Sequence, residues 1–305
     1  MRRYIIQRLI ISVITVCVIV TACFFLLRLL PGNPFASDAM LPQEIIDKMM
    51  RYYGMDKPLW QQYLTYMGNL LRGDFGYSLK YAGRSVNYVI ATTFPISARL
   101  GLQSLLFSYP VGLLLGIISA RRRGKPIDMA LSGMTIFVIS VPSFIIAVVL
   151  QYTFALKLGW LPAAGWRGFA YTILPTITMS LGSIASRTRS MRTLMLEVNE
   201  QDYLRTAKAK GLGEARIVVF HQIRNAIIPM ISTLGMEIAG LLMGSFIVER
   251  IFNIPGMGGY FVNSINSLDY TMVLGLTAFS GTLIVAANFI VDLLYGVVDP
   301  RIRIT

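Results

Sequence analysis

The chain has 305 residues, of which 55% are hydrophobic and only 14% are charged, whereas roughly 25% of residues are charged in ordinary soluble domains. So little charge cannot solvate the surface of a globule of this size, which excludes a soluble domain, a disordered chain and a protein that coats nucleic acid. The net charge of +13 comes from 28 Lys and Arg against 15 Asp and Glu. On so apolar a chain this excess indicates membrane topology first.

Six apolar stretches approach the length that a bilayer crossing requires, which is about 20 residues per helix. They cover residues 9–30, 96–120, 129–156, 171–186, 227–248 and 272–298. The first stretch is longer than the apolar part of a secretory signal and lacks small residues at its end, so we interpret it as a retained span. The sequence therefore predicts an all-α integral membrane protein with six transmembrane helices.

The basic residues orient these spans. With the amino terminus in the cytoplasm, 17 of the 28 Lys and Arg fall in cytoplasmic segments, eight of them from Arg187 to Arg224. The positive-inside rule then predicts that both termini are cytoplasmic. The predicted organisation is a first span with an external loop (1–95), a five-helix core (96–298) with a cytoplasmic segment at 187–226, and a cytoplasmic tail (299–305).

The long external loop carries two amphipathic stretches. Pro42 opens one and Pro58 opens the other, and apolar residues follow each at spacings of three and four. Proline in the first turn and this spacing predict two short helices on the outer surface. They either cap the helical bundle or dock an external partner, and the two roles are compatible.

The sequence predicts no enzymatic site in this chain. It contains no Gly-x-x-x-x-Gly-Lys-Ser/Thr phosphate loop, and the glycine-rich stretch at 256–259 has neither the spacing nor the lysine. One His and two Cys are too few for a zinc site built from those residues alone. We therefore predict no catalytic residue, no metal site and no cofactor bound by this chain. Nucleic-acid binding is disfavoured because acidic residues are mixed into the basic segment.

The cytoplasmic segment at 187–226 is too long for a tight turn. Asn199 can cap a helix, with Asp202 three residues later, and Gly211 suits a left-handed helix end. We predict a helix of about three turns between them. Tyr203 and Ala207 recur on it at helical spacing among small and basic residues, which suits the close approach of another protein. The alternative is a solvated loop that only links two spans.

The same residues resemble a known signature. The run at 202–212, followed by Arg224-Asn225-Ala226-Ile227-Ile228-Pro229, resembles the cytoplasmic signature of permease subunits in ATP-binding-cassette importers. The chain keeps Ala207 and Gly211 of the general Glu-Ala-Ala-x-x-x-Gly form but has Arg205 and Thr206 in place of Glu-Ala, which is similar to the oligopeptide, dipeptide and nickel branch. Further matching runs lie at 31–34, 54–58, 73–78, 249–258 and 299–301. The likeness covers nearly the whole chain and is strongest to the first permease of oligopeptide importers.

This resemblance implies a type I importer permease fold in a bacterial cytoplasmic membrane. It implies that the chain forms half of a translocation channel as a heterodimer with a sister permease. The implied partners are two cytoplasmic ATPases, which bind ATP and Mg, an external substrate-binding protein, and a peptide as the substrate. The helix at 200–210 would be the coupling helix that docks on an ATPase, and the residues expected at that contact are Tyr203, Arg205, Thr206, Ala207, Lys210 and Gly211.

Two alternatives to the peptide importer are kept open. The cargo could instead be a dipeptide, nickel or a metal chelate carried by the same branch. A stand-alone secondary transporter would also explain six spans without ATP, but that class usually shows internal repeats or midplane charge pairs, and neither is evident in the sequence.

Polar residues within spans are candidates for the translocation pathway, because leaving them in lipid is costly. Glu237 lies ten residues into the fifth predicted span, and Gln151 and Asn288 lie within others. A buried hydrogen bond to another helix is the alternative role for Glu237. Between the last two spans the sequence predicts a re-entrant or surface turn that forms part of an external gate, with Pro255, Gly256 and Gly258 as its residues.

Overall fold

The computed structural model describes residues 2–29, 43–81 and 83–298. Over these ranges the chain is helical apart from turns and one isolated bridge between Tyr77 and Ser85, so the predicted all-α class is confirmed. The α-helices of the described ranges are α1 (Arg2–Leu29), α2 (Gln43–Tyr52), α3 (Leu59–Leu71), α4 (Val86–Arg121), α5 (Pro126–Ser140), α6 (Ser143–Leu150), α7 (Ala170–Asn199), α8 (Asp202–Ala209), α9 (Glu214–Ile217), α10 (Arg224–Leu242), α11 (Phe246–Ile251), α12 (Met257–Asn266) and α13 (Tyr270–Val298). Two π-helical segments, Gln151–Lys157 and Val218–Ile223, follow α6 and α9.

The contacts divide the chain into two compact units. The amino-terminal unit comprises Met1–Ser97 and Pro255–Phe289, and the core unit comprises Ala98–Ile254 and Ile290–Thr305. The division falls inside α4 and α13. The predicted tail at 299–305 lies outside the described residues.

The helices do not confirm the predicted count of six spans. Within the described residues, three helical stretches are long and apolar enough to cross a membrane: Ile5–Leu29, Val86–Arg121 and Tyr270–Leu293. The count rises to five if two bent pairs each cross once. These pairs are Pro126–Ser140 with Ser143–Lys157, bent by 102°, and Glu214–Ile231 with Leu234–Ile251, bent by 62°.

The predicted span at 171–186 is helical but lies within the much longer α7. Its threonines and serines lower its hydropathy, and Thr172, Thr178 and Ser180 are buried against the protein. Helix α7 then continues to Asn199, well into the segment that was predicted to be a cytoplasmic loop. Helix α7, which contains the fourth predicted span, is therefore longer and more polar than the sequence predicted.

The predicted span at 129–156 is broken in the middle. Helix α5 ends at Ser140, Val141 is extended with φ −89° and ψ 124°, and Pro142 precedes α6. Proline disfavours the helical conformation of the residue before it and cannot donate a backbone hydrogen bond. The break and its bend of 102° therefore follow from Pro142.

Two more predicted boundaries are wrong. Helix α4 begins at Val86 and not at residue 96, because buried Val86, Val89 and Ile90 continue its apolar face at spacings of three and four. Helix α10 ends at Leu242, short of the predicted residue 248, and Gly244 with φ +76° turns the chain before α11. The two short helices predicted after Pro42 and Pro58 are present as α2 and α3.

Within the core unit, α4 and α7 lie so close together that two glycines of α4 leave no room for a side chain. A Cβ atom on Gly112 would lie 2.7 Å from Cβ of Arg187, and one on Gly116 would lie 2.8 Å from the carbonyl oxygen of Thr188. Small residues permit this kind of backbone approach between membrane helices. The glycines therefore fix the position of α7, which carries the polar groups described next.

Candidate functional site

The predicted docking helix exists as α8, Asp202–Ala209, but it begins differently from the prediction. Asn199 is the last residue of α7 and not a cap of α8; Gln201 occupies the N-cap position and makes no side-chain cap hydrogen bond. The sequence did not show where α7 ends and α8 begins. A polar residue such as Asn199 is equally suited to the end of one helix and to the cap of the next.

The carboxyl end of α8 matches the prediction. Gly211 has φ +73°, the left-handed conformation that glycine adopts at no steric cost. Its N–H donates to the carbonyl of Lys208 at 2.9 Å, and the N–H of Leu212 donates to the carbonyl of Ala207 at 3.3 Å. This pair of bonds is the Schellman arrangement, which satisfies the last carbonyl groups of a helix.

One face of α8 packs on the chain itself. Leu204 and Ala207 are buried and form a cluster with Ile217 of α9, against which Val198 and Leu212 also pack. Ala207 is only 6% exposed, and its predicted place at the docking contact stays a prediction. Its small side chain lets α8 lie close to α9 in the hairpin Asp202–Ile217, which we call the α8–α9 hairpin.

The other face of α8 is exposed. Tyr203 is 42% exposed, and Arg205, Thr206 and Lys210 are exposed beside it. Arg205 bonds to Asp202 at 3.3 Å, but a solvent-exposed ion pair of this kind contributes little and can exchange partners. With Gly211 at its end, this face keeps five of the six predicted docking residues accessible.

Polar bonds join the hairpin and the π-helical segment that follows it to the ends of α4 and α7. Arg121 of α4 pairs with Glu214 at 2.8 Å, and Gln222 donates to the side chain of Asn199 at 2.9 Å. Deeper in the core unit, Arg192 of α7 makes two bonds to the carboxylate of Asp128, at 2.7 and 2.8 Å. Movement of the hairpin can therefore be transmitted to these two long helices.

A second polar site surrounds Glu237, the first pathway candidate. Its carboxylate Oε2 accepts a hydrogen bond from Nη2 of Arg187 on α7. The Arg187 side chain is 2% exposed, whereas that of Glu237 is 33% exposed. Arg187 also donates to Oγ of Ser108 at 2.9 Å and lies 4.7 Å from the ring centre of Tyr109.

Sequence analysis missed Arg187 as a site residue. It was counted with the cytoplasmic basic residues, because it directly follows the apolar stretch at 171–186. The signal that could have found it is the unbroken helical pattern from that stretch to Asn199. The structure contains an ion pair between two helices here, in which Arg187 is buried and Glu237 is half-buried.

The ion pair lies in the wall of a cleft of about 400 Å³ within the core unit, which we call the Glu237 cleft. Its lining combines hydroxyl groups, two arginines, the carboxylate and a few apolar side chains: Tyr109, Ser186, Arg187, Arg189, Ser190, Thr193, Leu194, Pro229, Met230 and Glu237. A cleft of this size can hold a small ligand.

The other two pathway candidates are not brought to this cleft. The Gln151 amide donates to the carbonyl of Ala163 at 2.8 Å and to that of Ile251 at 3.3 Å, so it ties the end of α6 to a loop and to α11. Asn288 is half-buried in α13 and belongs to the amino-terminal unit. A role in translocation stays a prediction for both residues.

The predicted external turn is shorter than expected. Pro255 is exposed, Gly256 is the N-cap residue of α12, and Gly258 already lies in the first helical turn. The N–H of Met257 donates to Oγ of Ser97 at 2.9 Å, which anchors this helix start within the amino-terminal unit. Gly258 therefore lies in a helix, and the gating role of all three predicted residues remains a prediction.

Comparison with known families gives two adjacent matches. Residues 112–304 match the family described as "Binding-protein-dependent transport system inner membrane component". Residues 1–101 match the amino-terminal family that accompanies it, "Binding-prot-dependent transport system membrane comp, N-term". Together the matches cover almost the whole chain.

Similar proteins extend the match over full length. The chain is 41% identical over 305 residues to the oligopeptide transport system permease protein OppB of Haemophilus influenzae, covering 99% of this chain and 100% of that protein. It is 41% identical over 304 residues to the dipeptide transport system permease protein DppB of Bacillus subtilis, covering 100% of this chain and 99% of that protein. Identity to OppB of Salmonella typhimurium is 38%, covering 99% and 100%.

Two solved structures resemble the fold at low sequence identity. A chain from the crystal structure of an amino acid ABC transporter with histidines gives a TM-score of 0.50 at 15% identity, covering 68% of this chain and 94% of that chain. A chain from the inward-facing MetNI methionine ABC transporter gives 0.50 at 17% identity, covering 70% and 96%. The type I importer permease fold is thereby confirmed.

Proposed function

Because the chain belongs to the family of binding-protein-dependent transport system inner membrane components, we propose that it forms half of the translocation channel of an ATP-driven peptide importer. The observation that carries the peptide assignment is the full-length identity of 41% to an oligopeptide and to a dipeptide permease. Both relatives are named for peptides, which favours peptide over nickel or metal-chelate cargo.

In this proposal the chain transmits a movement that its ATPase partners drive. Two cytoplasmic ATPases bind ATP and Mg, a sister permease completes the channel, and an external binding protein delivers the peptide. The exposed face of α8, with Tyr203, Arg205 and Thr206 at its centre, fits into a groove on one ATPase. Closure of the ATPase dimer moves the α8–α9 hairpin as a rigid body, and α4 and α7 transmit the movement.

The exposed face of α8 supports this role for physical reasons. Its buried face is already occupied by Ile217 and Leu212, so the helix holds its shape before any partner binds. Preorganisation of this kind lowers the entropy cost of docking. The cytoplasmic position of both termini belongs to the same proposal, since the ATPases must meet α8 on the inner face.

Copurification and uptake test the proposal together. A tagged chain is expressed with its neighbouring genes, and we expect it to copurify with a second permease and two ATPases. When this complex is reconstituted in proteoliposomes and the binding protein is added, we expect ATP-dependent uptake of trialanine. Uptake by this chain alone, without ATPases, would contradict the proposal and favour a secondary transporter. Copurification without peptide uptake would contradict the assigned cargo.

A further inference from the structure

The Glu237 cleft presents one accessible carboxylate that the proposed docking mechanism does not use. Arg187 is 2% exposed and cannot reach a ligand, whereas Glu237 is 33% exposed and lies in the cleft wall. Its Oε2 atom accepts from Arg187, while no hydrogen bond to Oε1 occurs among the described residues. A carboxylate has two oxygens with about four acceptor positions, so Glu237 retains capacity for a second donor.

The chemistry of the cleft indicates what this donor is. Glu237 is the only acidic residue in the described lining, which is too few carboxylates for a dedicated divalent cation site. A charged nitrogen donor is the better match, because charge-assisted hydrogen bonds are about twice as strong as neutral ones. We propose that the Glu237 cleft binds the free amino terminus of a peptide in transit, with the Glu237 carboxylate accepting from its α-ammonium group.

The remaining lining suits the rest of a peptide. Ser186, Ser190 and Thr193 offer hydroxyl groups that can both donate and accept, and a peptide backbone presents the same groups whatever its sequence. Pro229 is exposed and Leu194 is half-buried, and both add apolar surface for varied side chains. Arg189 is exposed in the same lining and supplies a positive charge for a carboxylate. The cleft therefore offers a negative charge for the amino terminus of a peptide and a positive charge for its carboxylate.

Arg187 is a positioning residue in this arrangement. It holds the carboxylate of Glu237 while it is itself fixed by Ser108 and by the ring of Tyr109. Since leaving a buried guanidinium without its counter-charge is costly, the ion pair holds the Glu237 carboxylate in place whether or not a peptide is present. The inference rests on the proposed function, because it requires that peptides pass through this chain.

Equilibrium binding to the purified membrane complex tests the site without the binding protein. The complex of the two permeases and two ATPases is placed in nanodiscs, and the Kd is measured for trialanine and for N-acetyl-trialanine, which lacks the ammonium group. We expect the wild type to bind trialanine about tenfold more tightly. Glu237→Gln should reduce that ratio to about one by weakening only the free peptide.

Two controls separate this effect from damage to the fold. Glu214→Gln removes a carboxylate that also pairs with an arginine, at 2.8 Å, but lies outside the Glu237 cleft, and it should keep the wild-type ratio. The double variant R187Q/E237Q removes both charges, so no buried charge is left unpaired, and it should also lose the ratio while assembling normally.

The outcomes distinguish the inference from the proposed function. If Glu237→Gln keeps the wild-type ratio of the two Kd values, the Glu237 site is overturned even if the wild-type complex imports trialanine. This includes the case in which the variant binds both peptides more weakly by the same factor. If the wild-type complex imports no peptide in the uptake assay, the proposed function fails, and the binding ratio still decides the site separately.

Discussion

At the scale of single residues, Gly211 shows how backbone conformation alone can decide a substitution. Its φ of +73° is left-handed, and no atom lies within 4 Å of a Cβ built on it, so a side chain meets no steric clash with its surroundings. Gly211→Ala should destabilise the α8–α9 hairpin by about 1 kcal/mol, Gly211→Asn by less and Gly211→Val by more. Hydrogen exchange of the α8 amides in the purified complex measures the order.

Gly213 is the matched control for this series. It also has no atom within 4 Å of a built Cβ, but its φ is −62°, which any residue can adopt. Gly213→Ala should therefore leave exchange in α8 nearly unchanged. Equal protection losses at the two positions would show that the left-handed conformation is not what fixes the helix end.

Substitutions at two adjacent residues distinguish an effect on the folding of the hairpin from an effect on docking. Ala207 is buried in the hairpin and Thr206 is exposed. Ala207→Asp places an unpaired charge among apolar side chains and should destabilise the hairpin by about 2 kcal/mol or more, seen as faster exchange at 202–217. Thr206→Asp should keep wild-type exchange but reduce the ATPases recovered by copurification. Slow exchange in Ala207→Asp would contradict the packing described for α8.

At the scale of helices, the close approach of α4 and α7 depends on glycine. A Cβ on Gly116 would lie 2.6 Å from Cβ of Met191 and 2.8 Å from the Thr188 carbonyl oxygen, and backbone cannot move aside cheaply. Gly116→Val should therefore destabilise the core unit by about 3 kcal/mol, the upper end of overpacking costs. The thermal unfolding temperature of the purified complex in detergent is the measurement.

The control for Gly116 lies in α5. A Cβ on Gly133 meets no atom within 4 Å, so Gly133→Val should leave the unfolding temperature of the chain close to wild type. A large loss at Gly133 would mean that the effect at Gly116 reflects helix propensity or a partner subunit, and not the contact with α7.

What the sequence predicted well was local. The helices α2 and α3 follow from prolines and from apolar spacings of three and four, and the end of α8 follows from Gly211. The failures arose where tertiary packing decides. Pro142 breaks its predicted span, whereas Pro175 lies inside the unbroken α7, so a proline alone does not show where a helix ends. A basic residue after a span does not reveal that Arg187 is buried. The sequence did not indicate that Ala207 is buried, because a small residue permits close approach from either side.

At the scale of the whole molecule, the number of crossings follows from parity. If α8 meets cytoplasmic ATPases and the turn after α4 is also cytoplasmic, then the bent pair at 126–157 and α7 must both cross or neither can. Helix α7 has 30 residues, about 45 Å of helix, which is more than the roughly 30 Å of a bilayer core. We therefore predict that both cross and that the segment between them is external.

Cysteine labelling tests this topology directly. Cys17 and Cys23 are free and are replaced by alanine, after which single cysteines are placed at Arg122, Arg167 and Lys208, all exposed. A membrane-impermeant maleimide added to intact spheroplasts should label Arg167→Cys only, and the other two only after lysis. The four basic residues at 121–125 and the eight from Arg187 to Arg224 favour the inner face for these two positions. Protection of Arg167→Cys in intact spheroplasts would mean that α7 does not cross, and the six-span arrangement would then be wrong.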